Sequence, residues 1–318
     1  MKPFLSRFLI LICLNRQLWL YTMKDYQKLL FPYAYNILGS TEDARDTVQE
    51  VMYKFTSRQI TPDNQKNYLI RAVVNEAINL KKKNARIQPI DNWLPEPVAT
   101  DKPDFALELN ELVSYSIMVL LEKLNPKERA VFILKEAFAY THSEIADVLG
   151  IRVDASRKLL SRGHEKLNQP RNTKLPNQTL NTKPPNQPLN TKPLKNKSQF
   201  HLLDKVVEAV RSKDVKGLQT LLSEEIAYTA DGGKNIKVVK ETSRGQAEVT
   251  ELMVLVYHRF LGNKTIRHGW INHQPALIYY YRENIVTCQV FEIGSNNQIL
   301  RISTIVDPAK LKNLNDHG

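Results

Sequence analysis

One face of a predicted helix near residue 155 carries the side chains that nucleic acids bind. Six cationic or hydroxyl side chains recur there, namely Arg152, Ser156, Arg157, Lys158, Ser161 and Arg162. Cationic groups bind phosphates, and hydroxyl and guanidinium groups also reach base edges. This combination at helical spacing predicts a DNA-binding helix. The alternative is an ordinary helical hairpin with a solvated basic face.

The elements before this face have the sequence of a helix–turn–helix. Asn125-Pro126-Lys127-Glu128 combines an N-cap, a proline at the first helical position and a glutamate able to reach back to the cap. Ile145, Ala146 and Leu149 give the next short helix an apolar face, and Gly150 suits a tight turn. Capping, glycine position and the basic face agree, so DNA binding is favoured over the hairpin.

A second set of polar side chains follows the predicted helix from about Gln65 to Asn84. Aromatic and amide groups can stack on or hydrogen-bond to unpaired bases, while lysines hold phosphates. The candidates are Tyr68, Arg71, Asn75, Asn79, Lys81, Lys82 and Lys83. By itself this is a weaker indication, because a run of charges is usually a solvated face.

An acidic face belongs to the helix predicted before it, which Ser40 starts with Asp43 three residues on. Ala44, Val48, Val51 and Phe55 form its apolar stripe. Asp46, Gln49 and Glu50 lie mostly off that stripe and are predicted to be exposed.

Length and composition favour two folded parts. The chain has 318 residues, 42% of them hydrophobic, with a formal net charge of +12. Residues 23–169 contribute only +1, and residues 170–200 carry six basic residues and no acidic one. The total charge is therefore poor evidence for nucleic-acid binding. No stretch is apolar enough for a membrane span, and two cysteines cannot form a disulfide framework, so we expect a cytoplasmic protein without a membrane association.

Two segments are set apart from the folded parts. Residues 1–22 combine Lys2 and Arg7 with an apolar run but lack a small-residue cleavage site, and a helix-like sequence starts at Met23, so we expect translation to begin there. Residues 170–199 contain a nine-residue repeat starting at Asn172 and Asn181, rich in proline, asparagine and lysine. This composition predicts a disordered linker.

Residues 200–318 have an α+β pattern. Two helices near Leu202–Val210 and Leu218–Leu222 precede runs rich in β-formers, with one helix at about Gly245–Phe260 between them. The predicted strands are Ile226–Thr229, Ile236–Lys240, Thr265–Asn272, Ala276–Tyr281, Ile285–Ile293 and Ile299–Ile305. His258, His268 and His273 fit no zinc motif, so we expect structural roles for them and no metal, cofactor or catalytic site.

Residues 24–167 resemble a bacterial RNA polymerase sigma factor of the extracytoplasmic-function (ECF) type. Glu42–Met52 is similar to the acidic region 2 motif, and Tyr68–Asn75 to the promoter-melting segment. Leu124–Phe132 and Glu144–Gly150 resemble region 4. The resemblance implies that Asp46, Gln49 and Glu50 bind the polymerase clamp. It also implies that region 2 opens the −10 element and that region 4 reads the −35 element.

A narrower resemblance covers the connector and the C-terminal part. Trp93-Leu94-Pro95-Glu96-Pro97 is similar to the connector signature of the ECF group with a fused SnoaL-like (NTF2-like) domain, a cone-shaped α+β fold. The group's glycine loop appears as Asp231-Gly232-Gly233-Lys234, one glycine short, and its terminal box as Asp307-Pro308-Ala309-Lys310-Leu311. The loop lacks P-loop spacing and predicts a tight hairpin turn; the resemblance implies that it faces the sigma domains.

These features predict six segments and one function. The segments are a doubtful leader (1–22), region 2 (23–92), a connector (93–104), region 4 (105–169), a linker (170–199) and a SnoaL-like regulatory domain (200–318). The predicted function is promoter recognition with core RNA polymerase, regulated in cis by the C-terminal domain. We expect a monomer when free, with an unknown small ligand possible in the C-terminal cavity. A one-component DNA-binding regulator and a tethered enzyme are the alternatives, and the acidic and melting-type helices argue against the first.

Overall fold

The computed structural model describes residues 25–57, 62–87, 93–101, 109–168, 198–239 and 241–315. The predicted leader and almost all of the repeat linker lie outside these residues. Within them, no helix is both long and apolar enough to cross a membrane.

Three helices form the first part of the chain. Helix α1 covers residues 25–38, α2 covers Thr41–Ser57 and α3 covers Gln65–Ile87. In α1 every residue from Pro32 to Leu38 is buried, so this half of the helix is surrounded by the core. Gly39, with φ +76°, ends the helix in the left-handed conformation. Helix α2 buries Ala44, Val48 and Val51 as the sequence predicts.

Four further helices follow the connector. They are α4 (Tyr115–Leu121), α5 (Pro126–Phe132, continued by a π-helical turn at Ile133–Ala137), α6 (His142–Leu149) and α7 (Val153–Asn168). The predicted Asn125–Glu128 capping box is present on α5, and Gly150 ends α6 with φ +62°. Thr141 and Glu144 form a second capping box on α6, which was not predicted.

The C-terminal part is a six-stranded sheet with helices against it. Helices α8 (Ser198–Ser212), α9 (Val215–Leu221) and α10 (Gln246–Val256) accompany β1 (Leu222–Asp231), β2 (Ser243–Arg244), β3 (Thr265–Ile271), β4 (Gln274–Tyr281), β5 (Asn284–Ile293) and β6 (Ile299–Ile305). Helix α11 (Pro308–Asn315) follows. The strand order is β2-β1-β6-β5-β4-β3, and β1 and β6 are parallel while the other pairs are antiparallel. The predicted α+β class is confirmed.

Three hydrophobic clusters organise the molecule. The first runs through α1–α3 and continues into α4–α6, so regions 2 and 4 share one core. The second lies between the C-terminal helices and one face of the sheet. The third covers the other face of the sheet with Leu94 of the connector, Tyr115 of α4, and Leu311 and Leu314 of α11. Both faces of the sheet are therefore buried.

Two predicted elements are wrong in extent. The apolar pattern predicts a helix from about Phe105 to Leu124, but the α-helix starts at Tyr115. Leu109–Glu111 forms a 3₁₀ turn before it, and the Asn36 side chain pairs with the backbone of Glu111 and Val113. Residues 102–108 lie outside the described residues. The strand expected at Ile236–Lys240 is absent over residues 236–239. The Ile236 amide donates to the Gly232 carbonyl, and the short strand β2 pairs with β1 instead.

Candidate polymerase, DNA and connector sites

The acidic face of α2 is open to solvent. Asp46, Gln49 and Glu50 are exposed on the side of the helix away from the core, and Glu50 pairs with Lys54 at 3.0 Å. Tyr53, one turn further on, is 71% exposed. Tyr53 was not among the predicted residues, although its position three residues after Glu50 and seven after Asp46 places it on the same face.

The DNA-binding candidates of α3 divide into two groups. Arg71, Asn79 and Lys83 are exposed and Lys82 is half-buried. Tyr68 is half-buried with its ring centroid 5.8 Å from that of Phe55. These five side chains remain candidates for contact with a melted strand.

Lys81 is buried within the molecule and is not exposed for DNA binding, which corrects the sequence prediction. Its side chain is 14% exposed, and its ammonium donates to the Leu38 carbonyl at 3.0 Å and to Glu122 at 3.1 Å. Burial, with some repulsion from Arg129, lowers the Lys81 pKa to about 8 against the pull of Glu122. Position 81 continues the inward stripe of Val74, Ala77 and Ile78, and the pattern of three consecutive lysines hid this.

Asn75 is also engaged within the molecule. Its amide donates to the Val148 carbonyl at the end of α6 and to the Arg71 carbonyl, both at 2.8 Å. Gly150, just after α6, has the Arg71 guanidinium as its nearest neighbour. In this arrangement region 4 therefore lies directly on the part of α3 that resembles the promoter-melting segment.

The basic face of α7 is presented to solvent. Arg152, Arg157, Lys158, Ser161 and Arg162 are exposed, and Arg157 has only the exposed Asp154 as an ion-pair partner, at 3.0 Å. Ser156 is the exception and a second correction. It is fully buried, and its hydroxyl lies 3.0 Å from Nδ1 of His142. Ser156 lies on the inward face with Leu160 and Gly163, so it fixes α7 to α6 rather than contacting DNA.

Trp93 opens the connector and is held from two sides. Its ring packs against Gly39, where an added Cβ would lie 2.8 Å from the ring. The ammonium of Lys81 lies 5.1 Å from the ring centroid and that of Lys310 lies 4.3 Å from it. Region 2 and the C-terminal helix α11 thus contact the same indole, and cation–π attraction contributes to both contacts.

The rest of the connector is hydrogen-bonded to all three folded parts. Glu96 accepts from the Thr41 amide at 2.7 Å, which caps α2, and its own amide donates to the Gly39 carbonyl. The hydroxyl of Tyr115 in α4 donates to the Pro95 carbonyl at 2.6 Å. Leu94 and Pro97 are buried.

The glycine loop and the terminal box meet at the connector. Oδ2 of Asp231 accepts from the Leu94 amide at 2.8 Å and lies 2.6 Å from the ammonium of Lys310. That ammonium also donates to the Leu94 carbonyl at 2.5 Å. Asp231 and Lys310 are both buried, so together they satisfy the backbone of Leu94 in a dry site.

The remaining residues of the loop and box have local roles. Gly233 has φ +62°, and its amide donates to Oδ1 of Asp231. Pro308 begins α11, Asp307 caps it by accepting from the Ala309 amide, and Leu311 is buried. Gly232 is buried, whereas Lys234 is exposed. The predicted hairpin turn does not form, because residues 236–239 make no strand.

Beyond the connector's own residues, the interface uses polar side chains that the sequence analysis did not single out. Asn272 accepts from the Val98 amide at 3.0 Å and donates to the Tyr35 hydroxyl at 3.1 Å. Gln274 accepts from the Ser116 amide at 2.8 Å. Residues 98–100 also pair with the edge strand β3 through the backbone of Trp270 and Asn272. These contacts join residues more than 150 positions apart, and no local pattern signals them.

The interior of the C-terminal domain is largely filled. Tyr228, Tyr257, Tyr279 and Phe291 pack in the second hydrophobic cluster. A cavity bordered by Val206, Val210, Met253, Tyr257 and Gln289 has a volume of about 20 Å³, enough for about one water molecule. In this conformation that cavity offers no room for a larger ligand.

The three histidines have structural partners. His258 contacts the Val210 carbonyl at 3.1 Å and His273 the Leu109 carbonyl at 2.9 Å. His268 lies 3.0 Å from Asp204 and stacks on Phe200. Among the described residues, no cluster of three or more His, Cys, Asp or Glu could hold a metal ion.

Comparison with known proteins agrees with this arrangement. Residues 22–87 match Sigma-70 region 2, and residues 114–167 match Sigma-70, region 4. The ECF RNA polymerase sigma factor SigJ of Mycobacterium tuberculosis is 25% identical over 237 residues, covering 73% of this chain and 70% of SigJ.

One solved structure matches the fold over most of the chain. The crystal structure of M. tuberculosis SigJ aligns with a TM-score of 0.68 at 19% identity and covers 92% of this chain and 98% of that chain. A SnoaL-like protein of Burkholderia thailandensis aligns with a TM-score of 0.28 at 11% identity and covers 35% of this chain and 96% of the other. The chain belongs to the ECF sigma factors of RNA polymerase. Sigma factors bind core RNA polymerase and promoter DNA and initiate transcription, and regions 2 and 4 define that function here.

Proposed function

We propose that this sigma factor binds core RNA polymerase through the exposed face of α2 and is held away from promoter DNA in cis by its C-terminal domain. The observation that carries the proposal is the connector, Trp93–Pro97, which region 2, the start of region 4 and the C-terminal domain contact at once. A connector fixed at three points fixes the relative position of the regions that it joins.

The DNA-facing side of region 2 is partly covered in this arrangement. Asn75 is bonded to Val148, and the exposed Arg71 lies at the turn after α6. A melted strand cannot reach Asn75 until α6 leaves α3. The contact between region 4 and region 2 therefore prevents a DNA strand from binding Asn75. The C-terminal domain stabilises that contact by holding the connector.

The spacing of the two promoter elements also requires regions 2 and 4 to separate. Elements centred at −35 and −10 are separated by about 25 base pairs, which is about 85 Å of duplex at about 3.4 Å per pair. Regions that share one hydrophobic core cannot contact both elements at that distance. Promoter recognition therefore requires the shared core to open.

Polymerase binding does not require the shared core to open. Asp46, Gln49, Glu50 and Tyr53 are exposed while the C-terminal domain is docked. Helix α11 contacts α2 only near its start, where Asn313 bonds to Thr41 and Arg45. We infer that the closed chain docks on polymerase by region 2 first, in the cytoplasm and as a monomer, and opens afterwards.

The DNA contacts follow from the exposed side chains. Region 4 would bind the upstream duplex through Arg152, Arg157, Lys158, Ser161 and Arg162. Region 2 would bind the opened strand through Tyr68, Arg71, Asn75, Asn79, Lys82 and Lys83. Membership of the group with the Trp93–Pro97 signature, and control by a small ligand, remain proposals; a ligand would act by binding one arrangement better than the other.

Two measurements test this function. Run-off transcription with purified core polymerase should give a promoter-specific transcript that is stronger for Asp231→Ala than for the wild-type chain. No such transcript from the full chain, from Asp231→Ala or from a C-terminal truncation would contradict it. Pull-down of core polymerase should be lost with Asp46→Ala plus Glu50→Ala and kept with Glu225→Ala, an exposed acidic residue of the C-terminal domain. Equal pull-down by the wild-type chain, the Asp46→Ala plus Glu50→Ala variant and Glu225→Ala would refute the assignment of the α2 face to polymerase binding.

A further inference from the structure

One end of the C-terminal sheet carries aromatic rings with cations over them. The ammonium of Lys264 lies 3.9 Å from the centroid of the Tyr281 ring, and the guanidinium of Arg282 lies 5.7 Å from the same ring. Arg259 lies 5.5 Å from the ring centroid of Phe260. Phe260 is 58% exposed and Tyr281 is 47% exposed, so both rings are open to solvent.

This end of the sheet is remote from the connector. Lys264 immediately precedes β3, and Tyr281 ends β4. The connector pairs with the opposite end of β3, at Ile271, which is six residues and about 20 Å from Thr265 at the near end. A molecule bound at the aromatic end would not collide with the connector.

The cations at this end are not neutralised by neighbouring acids. Residues His258–His268 include Arg259, Lys264 and Arg267 but no carboxylate. Within the described part of the chain, Arg259, Lys264, Arg267 and Arg282 form no ion pair, whereas Arg301 of the same sheet pairs with Glu292 at 3.2 Å. The nearest acid in sequence is Glu283, beside Arg282 in the β4–β5 turn.

We propose that Arg259, Phe260, Lys264, Tyr281 and Arg282, here named the cation–aromatic platform, bind single-stranded DNA. Exposed rings stack on unpaired bases, and adjacent cations bind the phosphates. Arg259 and Phe260 lie on the π-helical turn Tyr257–Leu261 that continues α10. The platform offers exposed rings, which stack on unpaired bases and not on the paired bases of a duplex. The choice of DNA rests on the sigma-factor function, which produces unpaired promoter strands. The platform gives the C-terminal domain a nucleic-acid contact in addition to its hold on the connector.

The test is fluorescence anisotropy of the full chain with a labelled DNA strand of about 20 nucleotides, without polymerase. Tyr281→Ala should weaken binding about tenfold, and Tyr281→Phe should bind like the wild type because it keeps the ring. Lys264→Ala should lower the slope of log K against log salt by about 0.7. Tyr53→Ala changes a tyrosine of α2 that is more exposed, at 71% against 47%, and is the control that should bind like the wild type.

Four outcomes would overturn the platform. They are no binding by the wild-type chain, equal binding by Tyr281→Ala and Tyr53→Ala, loss of binding with Tyr68→Ala but not with Tyr281→Ala, and equally tight binding of duplex DNA or of RNA of the same sequence. The third would place the site on region 2. Each leaves the run-off transcription result untouched, so failure of the platform is distinguishable from failure of the proposed function.

Discussion

The ammonium of Lys310 lies 2.6 Å from the carboxylate of Asp231, and neither side chain reaches solvent to any extent. Between them they bind the amide and the carbonyl of Leu94. The C-terminal domain thus holds the connector by its backbone, so this contact is independent of the side chain at that position. Four predictions follow from this contact and from those around it.

Removing the Asp231 carboxylate should release the connector. Asp231→Ala leaves a buried ammonium and a buried amide without their partner, and we expect a loss of about 3–5 kcal/mol in the free energy of unfolding. Urea unfolding followed by circular dichroism measures this. Asp154→Ala removes an exposed ion pair and should cost less than about 1 kcal/mol. Similar losses in the free energy of unfolding for Asp231→Ala and Asp154→Ala would contradict the buried position of the Asp231–Lys310 pair.

The close packing of Trp93 on Gly39 should make Gly39 intolerant of a side chain. Gly39→Ala places a Cβ 2.8 Å from the indole at a residue with φ +76°, so it combines backbone strain with a clash. Gly150→Ala has similar strain, with φ +62°, but its nearest neighbour lies 3.9 Å away. We expect Gly150→Ala to cost about 1 kcal/mol and Gly39→Ala clearly more. Limited proteolysis should cut the connector faster only in Gly39→Ala; equal rates would refute the contact.

Lys81 should make stability depend on pH in the alkaline range. Burial lowers its pKa from 10.5 to about 8, so between these values the unfolded chain binds more protons than the folded one. The free energy of unfolding should therefore gain a contribution as the pH rises from about 8 towards 10.5, and lose it as the pH falls through 8. Lys81→Met should remove that contribution.

The control for this pH dependence is two residues along the same helix. Lys83 is exposed, so Lys83→Met should keep the wild-type slope between pH 8 and 9.5. Urea unfolding at several pH values measures all three proteins. Identical slopes for Lys81→Met and the wild type would show that Lys81 is not buried as described.

The exposed Lys158 and the buried Ser156 separate DNA binding from stability in α7. Lys158→Ala should weaken binding to the upstream duplex for all sequences and reduce the salt slope by about 1, because it removes one phosphate contact. Ser156→Ala should leave that slope unchanged and lower the free energy of unfolding by about 1 kcal/mol, since it breaks the bond to His142. Anisotropy of a duplex against salt, with thermal unfolding, distinguishes them. A reduced salt slope for Ser156→Ala would restore it to the DNA face.

Much of this molecule is readable from local sequence. Asn125, Thr141 and Gly150 determine the helix–turn–helix through capping and a left-handed turn, which are interactions within a few residues. The inward position of Ser156 could have been read from its spacing to Leu160 and Gly163. Lys81 was misassigned because three consecutive lysines suggest solvent, whereas the helical period turns one of them inward.

The rest depends on contacts between distant parts of the chain. Asn272 bonds to Tyr35 across 237 positions, and Lys310 meets Leu94 across 216. Local propensity carries no information on such pairs. The resemblance of Trp93–Pro97 implied a regulatory connector, but not that Glu96 would cap α2 or that Tyr115 would bond to Pro95.

The third hydrophobic cluster has a consequence for when the molecule opens. Ile278, Cys288 and Val290 on the outer face of the sheet are covered by Leu94 and Tyr115 of the sigma half. Separation in water would wet this hydrocarbon surface at an unfavourable free energy of about 25 cal/mol per Å². Opening is therefore unfavourable for the chain alone and is promoted by any large surface that shields the exposed sheet. Because both faces of the sheet are apolar, release of the sigma half from the C-terminal domain depends on a partner that covers the face left exposed.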